Sequence, residues 1–291
     1  LVALVIVSLA APSIARANHN TPPRINLPGA PIGIGEHRQV LRPTLQGEID
    51  LESLPSYRIS ATVDLTTATI QGEQHLSFTN PAGEPLDRLV FRLLPNADTI
   101  YGGGSLTIAQ VVRGGSPTSW ELSPDGTVLS VLLDPPLPPG ERVEIGLDFA
   151  AVIPRASGGY NIFHHSARVT SLAAWYPVLA PYEGGWQVTA VPAVGDANHF
   201  AVALYDVTLA APATHTVVST GTTREVYEQG ATRVWRLVSG PARGFAIALS
   251  DRFAHYTAER VGVTINYYAL SPETGRSPEE ALRIAADALD V

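Results

Sequence analysis

From residue 57 onward, apolar and polar side chains alternate along the chain in short runs. Every second residue of the run "YRISATVD" is apolar: Tyr57, Ile59, Ala61 and Val63. A period of two predicts a half-buried β-strand. The next run, "ATIQGEQHLSFTN", is also strand-like and ends at Asn80-Pro81. The two runs together predict a pair of strands at the start of a β domain.

More apolar runs follow at short intervals, and each is bounded by Gly, Pro, Ser or Asp. The main ones are "LDRLVFRLLPN", "SLTIAQVVRGG", "TVLSVLLD", "ERVEIGLDFAAVI", "HFAVALYDVTLAAP", "HTVVSTGTTREVYEQG", "ATRVWRLVSG" and "RGFAIALSDRF". Many short strands separated by turn residues are typical of antiparallel β folds. The sequence therefore predicts a mainly β architecture, an antiparallel sandwich or saddle.

The pattern changes at the end of the sequence. After one more strand-like run, "VGVTINYYAL", Ser277 is a suitable N-cap, Pro278 fits the first helical position and Glu280 completes a capping box. The stretch that follows carries an apolar stripe with helical spacing: Leu282, Ala285, Ala286 and Leu289. The stripe needs a partner surface and no C-cap signal follows it, so we expect the natural protein to continue beyond Val291.

The first residues predict export. The segment "LVALVIVSLAAPSIARA" is an apolar run followed by the small-x-small pattern Ala15-Arg16-Ala17. The run is too short to span a bilayer and is typical of the end of a signal peptide, here residues 1–17 without its basic start. We therefore expect a secreted or envelope-associated protein. Residues 18–52, rich in Pro and Gly, are predicted to form an exposed lead-in.

The amino-acid composition argues against nucleic-acid binding and excludes any site that needs cysteine. The formal net charge is −8, and all 19 basic residues are arginines that form no cluster, so the chain has no electrostatic signature of nucleic-acid binding. The chain has no cysteine, which excludes disulfides and thiolate metal sites.

No common catalytic motif is present. The sequence contains no H-E-x-x-H, G-x-S-x-G, Walker or dinucleotide-binding pattern. His164 and His165 are adjacent, so on a strand their side chains point to opposite faces. His199 with Asp196 is the better local pair, but a closed zinc site needs three or four ligands, so surface turn residues are the favoured interpretation. We assign no catalytic residue and no metal ligand to this chain.

The order of these features resembles the N-terminal part of thermolysin-like zinc aminopeptidases of the aminopeptidase N family. The likeness rests on "YRISATVDLTTATIQGEQHLSFTN", "LVFRLLPNA", "LPPGERVEIGLDFAAVIP", "GGYNIFHHSARVTSLAAWYPVLAPYEGGW" and "VGDANHFAVALYDVTLAAPATHTVVSTG". It covers about residues 57–291. The resemblance divides the chain into a β domain, residues 53–259, and the first strand and helix of an α+β catalytic domain, residues 260–291.

The resemblance implies a zinc-dependent parent protein that acts on peptides. In the family, two histidines and a glutamate hold the zinc, and these residues belong to a part that follows the stretch present here. The chain is therefore expected to be inactive alone. Better-known members carry a Q-x-x-x-A-R-x-x-F-P-x-x-D-x-P block. Setting Tyr176-Pro177 on its F-P puts Arg168 at the glutamine and Ala180 at the aspartate. The glutamine, which in the family helps to hold a substrate's amino end, therefore has no counterpart at this position.

The window "LAAWYPVLAPYEGGW", residues 172–186, is the richest in aromatic residues. Two interpretations stand, a ligand platform and a rigid corner between sheets, and buried aromatic anchors favour the corner. In the family's frame this corner lies near the cleft entrance. The candidate cleft-rim residues are Arg168, Trp175, Tyr176, Tyr182 and Glu183, with Tyr182 and Glu183 expected to be exposed.

Three functions remain open at this point. In the first, the chain is the β domain of an exported zinc aminopeptidase-like protein, where it packs on a catalytic domain and walls its substrate cleft. Alternatively, it is a stand-alone β-sandwich binding module of the cell surface, or a relative of the peptidases without catalytic activity.

Overall fold

The structure is a computed structural model, which describes residues 33–41, 45–97, 102–156, 160–192, 199–270 and 277–290. Of its residues, 51% lie in strands and 8% in helices, so the predicted mainly β class is confirmed. The predicted signal peptide and the first part of the lead-in lie outside the described residues. In the part that is described, no helix is long and apolar enough to cross a membrane.

The largest sheet has eight strands, in the order β14-β15-β12-β1-β2-β8-β4-β5. In chain order these are β1 Ser56–Asp64, β2 Thr69–Thr79, β4 Ser105–Arg113, β5 Ser116–Pro117, β8 Arg142–Val152, β12 Leu204–Pro212, β14 Thr222–Gln229 and β15 Thr232–Val238. Neighbouring strands are antiparallel except β1 and β12, which are parallel. The long excursion between β2 and β12 returns the chain to the free side of β1, and this gives the single parallel contact in an otherwise antiparallel sheet.

Two four-stranded sheets cover the large sheet. One has the order β13-β16-β10-β9, and the other has the order β11-β3-β7-β6. Their strands are β3 Leu86–Arg92, β6 Trp120–Leu122, β7 Val128–Leu137, β9 Phe163–His165, β10 Thr170–Leu172, β11 Val178–Leu179, β13 Thr216–Ser219 and β16 Ile247–Ser250. The buried apolar residues of all three sheets form one continuous core.

The core follows the alternation of the sequence. In β1, Tyr57, Ile59, Ala61 and Val63 are buried, whereas the residues between them are partly exposed. Because successive side chains of a strand point to opposite faces, the apolar set of the central strands faces the small sheets and the polar set forms an outer face. Gly72 of β2 lies under the ring of Phe149, where an added Cβ would come within 2.3 Å of the ring.

A hairpin and a helix form a separate small unit at the end of the described chain. The strands β17 Ala254–Arg260 and β18 Val263–Ala269 pair with each other as a two-stranded sheet, and α2 Pro278–Asp287 lies against both. The predicted N-cap is confirmed, because the Glu280 N–H donates to Ser277 Oγ at 3.2 Å. Arg260 of β17 pairs with Asp290 beyond the helix.

The lead-in is not wholly exposed, unlike the prediction. Residues 34–39 form a short helix, α1 Ile34–Gln39, and His37 is buried, with its Nδ1 2.6 Å from the carbonyl oxygen of Ser239. Leu51 has no exposed surface. These two side chains attach the end of the lead-in to the β domain. The sequence pattern misses them because neither residue belongs to a run with a clear period.

Candidate functional site

The aromatic window connects two sheets. It leaves β10, a strand of the first small sheet, and enters β11, a strand of the second. Between the strands, Ala174 adopts a left-handed backbone conformation with φ of 48°. This is an unusual conformation for a residue with a Cβ, and the surrounding packing has to hold it in place. The interpretation of the window as a rigid corner between sheets agrees with this placement.

Trp175 and Tyr176 are the anchors of the corner. Neither side chain has any exposed surface. The Trp175 indole N–H donates to the Phe245 carbonyl oxygen at 3.0 Å, and the Phe245 N–H donates to the Tyr176 hydroxyl oxygen at 3.2 Å. Both side chains thus belong to the buried interior of the corner. A buried aromatic side chain removes about 150–250 Å² of surface from water, which stabilises the folded state by about 4–6 kcal/mol. This gain favours the buried position of both rings.

Three tyrosines meet under the corner. The ring of Tyr57 stacks on Tyr205 with centroids 4.9 Å apart, and Tyr176 stands edge-on to both. The Tyr57 hydroxyl accepts a hydrogen bond from the Leu179 N–H at 2.9 Å. Burial raises the pKa of Tyr57 and Tyr176 well above their usual value, and raises the pKa of Tyr205 to about 12. These hydroxyls are neutral hydrogen-bonding groups that fix the corner to β1 and β12.

Tyr182 and Glu183 lie on a tight turn at the other end of the window. Tyr182 pairs with Trp186 across the turn, and Gly184 provides the left-handed conformation, with φ of 69°. Glycine adopts this conformation readily because it has no Cβ. The Tyr182 ring packs edge-on against Trp186, which in turn contacts Phe78 of β2. The Tyr182 side chain is half-buried and borders an open recess beside residues 81–84.

Glu183 is the exposed acidic group of this turn. Its side chain is 63% exposed, and His199 Nε2 lies 3.0 Å from its Oε1. The sequence suggested Asp196 as the local partner of His199, and Asp196 lies outside the described residues. Glu183 is sixteen residues away from His199 in the chain, so local spacing gives no signal for this contact.

Arg168 lies elsewhere, on the exposed turn between β9 and β10. Its backbone N–H donates to Ser166 Oγ at 3.2 Å, and its carbonyl oxygen accepts from Ser250 Oγ at 2.6 Å. No contact joins Arg168 to the Tyr182–Glu183 turn in the described chain.

The two tryptophans of the aromatic window pack at positions that are far apart along β8. Trp175 packs beside Phe149 of β8, whereas Trp186 packs beside Phe78, which pairs with Val143 of the same strand. Six residues of β8, roughly 20 Å, separate Val143 from Phe149. The structure therefore spreads the candidate residues along the corner instead of gathering them in one pocket.

The histidines of β9 are engaged locally. His164 Nε2 lies 3.2 Å from the Arg155 carbonyl oxygen, and His165 Nδ1 lies 2.7 Å from Thr170 Oγ1. Burial, with the nearby Arg155 charge, lowers the pKa of His165. Within the described ranges, no three His, Asp or Glu side chains are placed to hold a metal ion.

Solved structures give the fold its context. A crystal structure of an M1 zinc metallopeptidase from Deinococcus radiodurans matches with a TM-score of 0.56 and 17% identity, over 79% of this chain and 52% of that one. The chain shares its fold with part of an M1 zinc metallopeptidase. A point mutant of the M1 enzyme matches at TM-score 0.54 and 18% identity, and the mutant with a bound Tyr-Ser-Ala substrate at TM-score 0.54 and 19% identity, both over the same shares of the two chains.

The chain thus spans about half the length of the M1 structures that it matches. No protein-family model matches the chain, and neither does any curated protein. The likeness is one of architecture, and the expectation of a fold resembling a zinc peptidase is confirmed at that level.

Proposed function

We propose that the chain is the β domain of an exported zinc aminopeptidase-like protein, in which it packs on a catalytic domain and walls one side of the substrate cleft. The observation that carries this proposal is the shared fold with about half of an M1 zinc metallopeptidase. One of these neighbours is a complex with a Tyr-Ser-Ala substrate, which supports a peptide as the molecule that such a cleft receives.

The surface that faces the cleft in this proposal is the turn of Tyr182 and Glu183. The buried aromatic anchors and the Trp186 contact hold the turn in a fixed position, while Glu183 stays exposed. An exposed carboxylate on a rigid turn attracts a cationic group, such as the free amino end of a peptide, more strongly at low salt. Arg168 forms a second, separate part of the wall.

Zinc has no site among the described residues of this chain. Its sequence also has no H-E-x-x-H motif. In the proposed protein, the ion and the chemical step therefore belong to the catalytic domain. This chain contributes shape, charge and support to the cleft.

Export is part of the proposal and rests on sequence alone. The apolar run of residues 1–11 and the Ala15-Arg16-Ala17 pattern support a signal peptide.

Reconstitution tests the proposal. The 291-residue chain and the polypeptide encoded after Val291 are produced separately and assayed, alone and mixed, for hydrolysis of aminoacyl-nitroanilides with and without zinc. We expect no turnover by the chain alone and zinc-dependent turnover by the mixture. Zinc-dependent turnover by the chain alone would contradict the assignment of its role. A mixture no more active than the downstream polypeptide would favour the stand-alone binding module.

The wall itself is tested in the same mixture with Glu183→Gln. We expect a higher KM for substrates with a free amino end and an unchanged kcat, because the carboxylate acts on binding and not on the reacting bond. Glu121→Gln, on the exposed strand β6, is the matched control and leaves both constants unchanged.

A further inference from the structure

A second cavity lies on the outer face of the large sheet, away from the aromatic corner. It has a volume of about 380 Å³, and its floor is formed by the ends of β1, β2 and β8. Residues Ile34 and His37 of α1 and Leu54 of the following loop line its walls. The volume falls in the range of small-molecule pockets, roughly 300–1,000 Å³. We call it the Arg58 cavity, lined by Ile34, His37, Leu54, Arg58, His75 and Glu144.

The strand register places charges of both signs on the floor. Arg58 stands opposite His75, and Glu144 stands opposite Ser77, which is on the same face as His75. Arg58 and Glu144 are thus two strands apart, with backbones separated by about 10 Å across the sheet. His75 and Ser77 of β2 stand between them on the same face, and all four residues line the cavity.

The side chain of Arg58 is half-buried. Its guanidinium makes no hydrogen bond or ion pair with any described residue, and the same holds for the Glu144 carboxylate. Their neighbours are engaged: the Arg142 Nη2 donates to the Glu52 carbonyl oxygen at 3.1 Å, and His75 Nε2 lies 2.8 Å from Glu73 Oε1. Arg58 stands opposite Asp206 of β12, so a carboxylate is near it but forms no direct contact with its guanidinium. A bound carboxylate would give Arg58 the charge-assisted hydrogen bonds that it lacks in the described chain.

The balance of charge excludes a simple anion as the best ligand. Two arginines line the cavity, Arg58 and Arg142, but so do three carboxylates, Glu52, Glu144 and Asp206. Asp206 already has Arg236 as a neighbour, with Nε 3.8 Å from Oδ1. An anion alone would be repelled by the remaining two carboxylates, whereas a ligand with both charges satisfies each side.

We propose that the Arg58 cavity binds a small zwitterion of the α-amino-acid type. Arg58 holds the ligand's carboxylate, Glu144 holds its ammonium group, and the apolar surfaces of Ile34 and Leu54 receive a short aliphatic side chain. Because α1 forms one wall, the end of the lead-in is part of the site. The proposal concerns the β domain and the end of the lead-in, and it does not depend on the proposed peptidase role.

Calorimetry on the full 291-residue chain tests the proposal, with L-leucine as the probe. Leucinamide lacks the carboxylate and N-acetyl-L-leucine lacks the ammonium group, so each loses one charge-assisted contact. We expect L-leucine to bind and both analogues to bind at least about tenfold more weakly. No binding of L-leucine up to about 10 mM, or equal binding of the analogues, would overturn the proposal.

Two variants test which side chain binds the ligand's carboxylate and which binds its ammonium group. Arg58→Gln should weaken L-leucine binding at least about tenfold while leaving leucinamide binding unchanged, as in a double-mutant cycle. Glu144→Gln should do the reverse, weakening L-leucine but not N-acetyl-L-leucine. Glu144 is exposed, so this variant is expected to fold even if Arg58→Gln does not. The matched control is Arg88→Gln, whose side chain is exposed beside Asp87 on β3. Unchanged L-leucine binding in both cavity variants would contradict the assignment.

Discussion

The indole N–H of Trp175 donates to the carbonyl oxygen of Phe245 at 3.0 Å, seventy residues away in the chain. The next residue, Tyr176, accepts the N–H of the same Phe245. Two neighbouring aromatic side chains thus satisfy both backbone groups of one buried residue just before β16. The polar atoms of the corner are used to connect parts of the domain, and they leave Trp175 and Tyr176 no free group for a ligand.

We predict that Trp175→Ala strongly destabilises the domain. The substitution leaves a cavity and an unsatisfied Phe245 carbonyl, and we expect a loss of about 3–5 kcal/mol in the free energy of unfolding. Urea denaturation followed by circular dichroism measures this value. Trp186→Ala serves as the control, because Trp186 is partly exposed and should lose clearly less. Equal losses in the two variants would contradict the anchoring role of Trp175.

Tyr57→Phe tests the connection between β1 and the corner. The ring packing on Tyr205 is kept, but the buried Leu179 N–H loses its acceptor. We expect a loss of about 1–3 kcal/mol in the free energy of unfolding, the usual cost of an unsatisfied buried donor. Tyr182→Phe also removes one hydroxyl, from a half-buried ring, and should change stability little. A neutral Tyr57→Phe would show that the hydroxyl does not hold the corner.

The buried tyrosines predict a loss of stability at high pH. Burial raises the pKa of Tyr205 to about 12, above the value of about 10 in the unfolded chain, so the unfolded state releases its proton first. The stabilisation is complete below about pH 10 and is lost as the pH rises toward 12, by about 2–3 kcal/mol for this residue. The chain has no lysine or cysteine to titrate in the same range. In Tyr205→Phe the decline of the unfolding free energy over this range should be shallower, and an unchanged slope would contradict the prediction.

Ser277→Ala should loosen α2 without unfolding the β domain. The serine side chain caps the helix by accepting the Glu280 N–H, and loss of an N-cap costs about 1 kcal/mol. Hydrogen–deuterium exchange should therefore become faster at the α2 amides and stay unchanged in β1 and β2. Ser277→Asp keeps an acceptor and should retain protection. Equal exchange in the alanine variant and the wild type would show that the cap does not support the helix.

The long strands β1, β2 and β8 could be predicted because burial alternates along all or part of each strand. β12 is buried at almost every position, and its long apolar run made it recognisable. The capped start of α2 was also predictable, because capping is a local interaction among Ser277, Pro278 and Glu280.

The corner could be predicted only in part. Strands β9, β10 and β11 have two or three residues each, too few to show a period. The burial of Trp175 and Tyr176 depends on Phe245 and Tyr205, which come from distant parts of the chain, and no local pattern encodes those contacts. The same is true of the Arg58 cavity, because the register of three strands brings Arg58, His75 and Glu144 to one face.

The coding sequence that follows the Val291 codon tests the central claim most directly. We predict that the frame continues and encodes a domain with an H-E-x-x-H zinc motif and a further glutamate ligand downstream. A stop codon directly after Val291 in a complete frame would contradict the claim that this domain walls the cleft of a zinc peptidase.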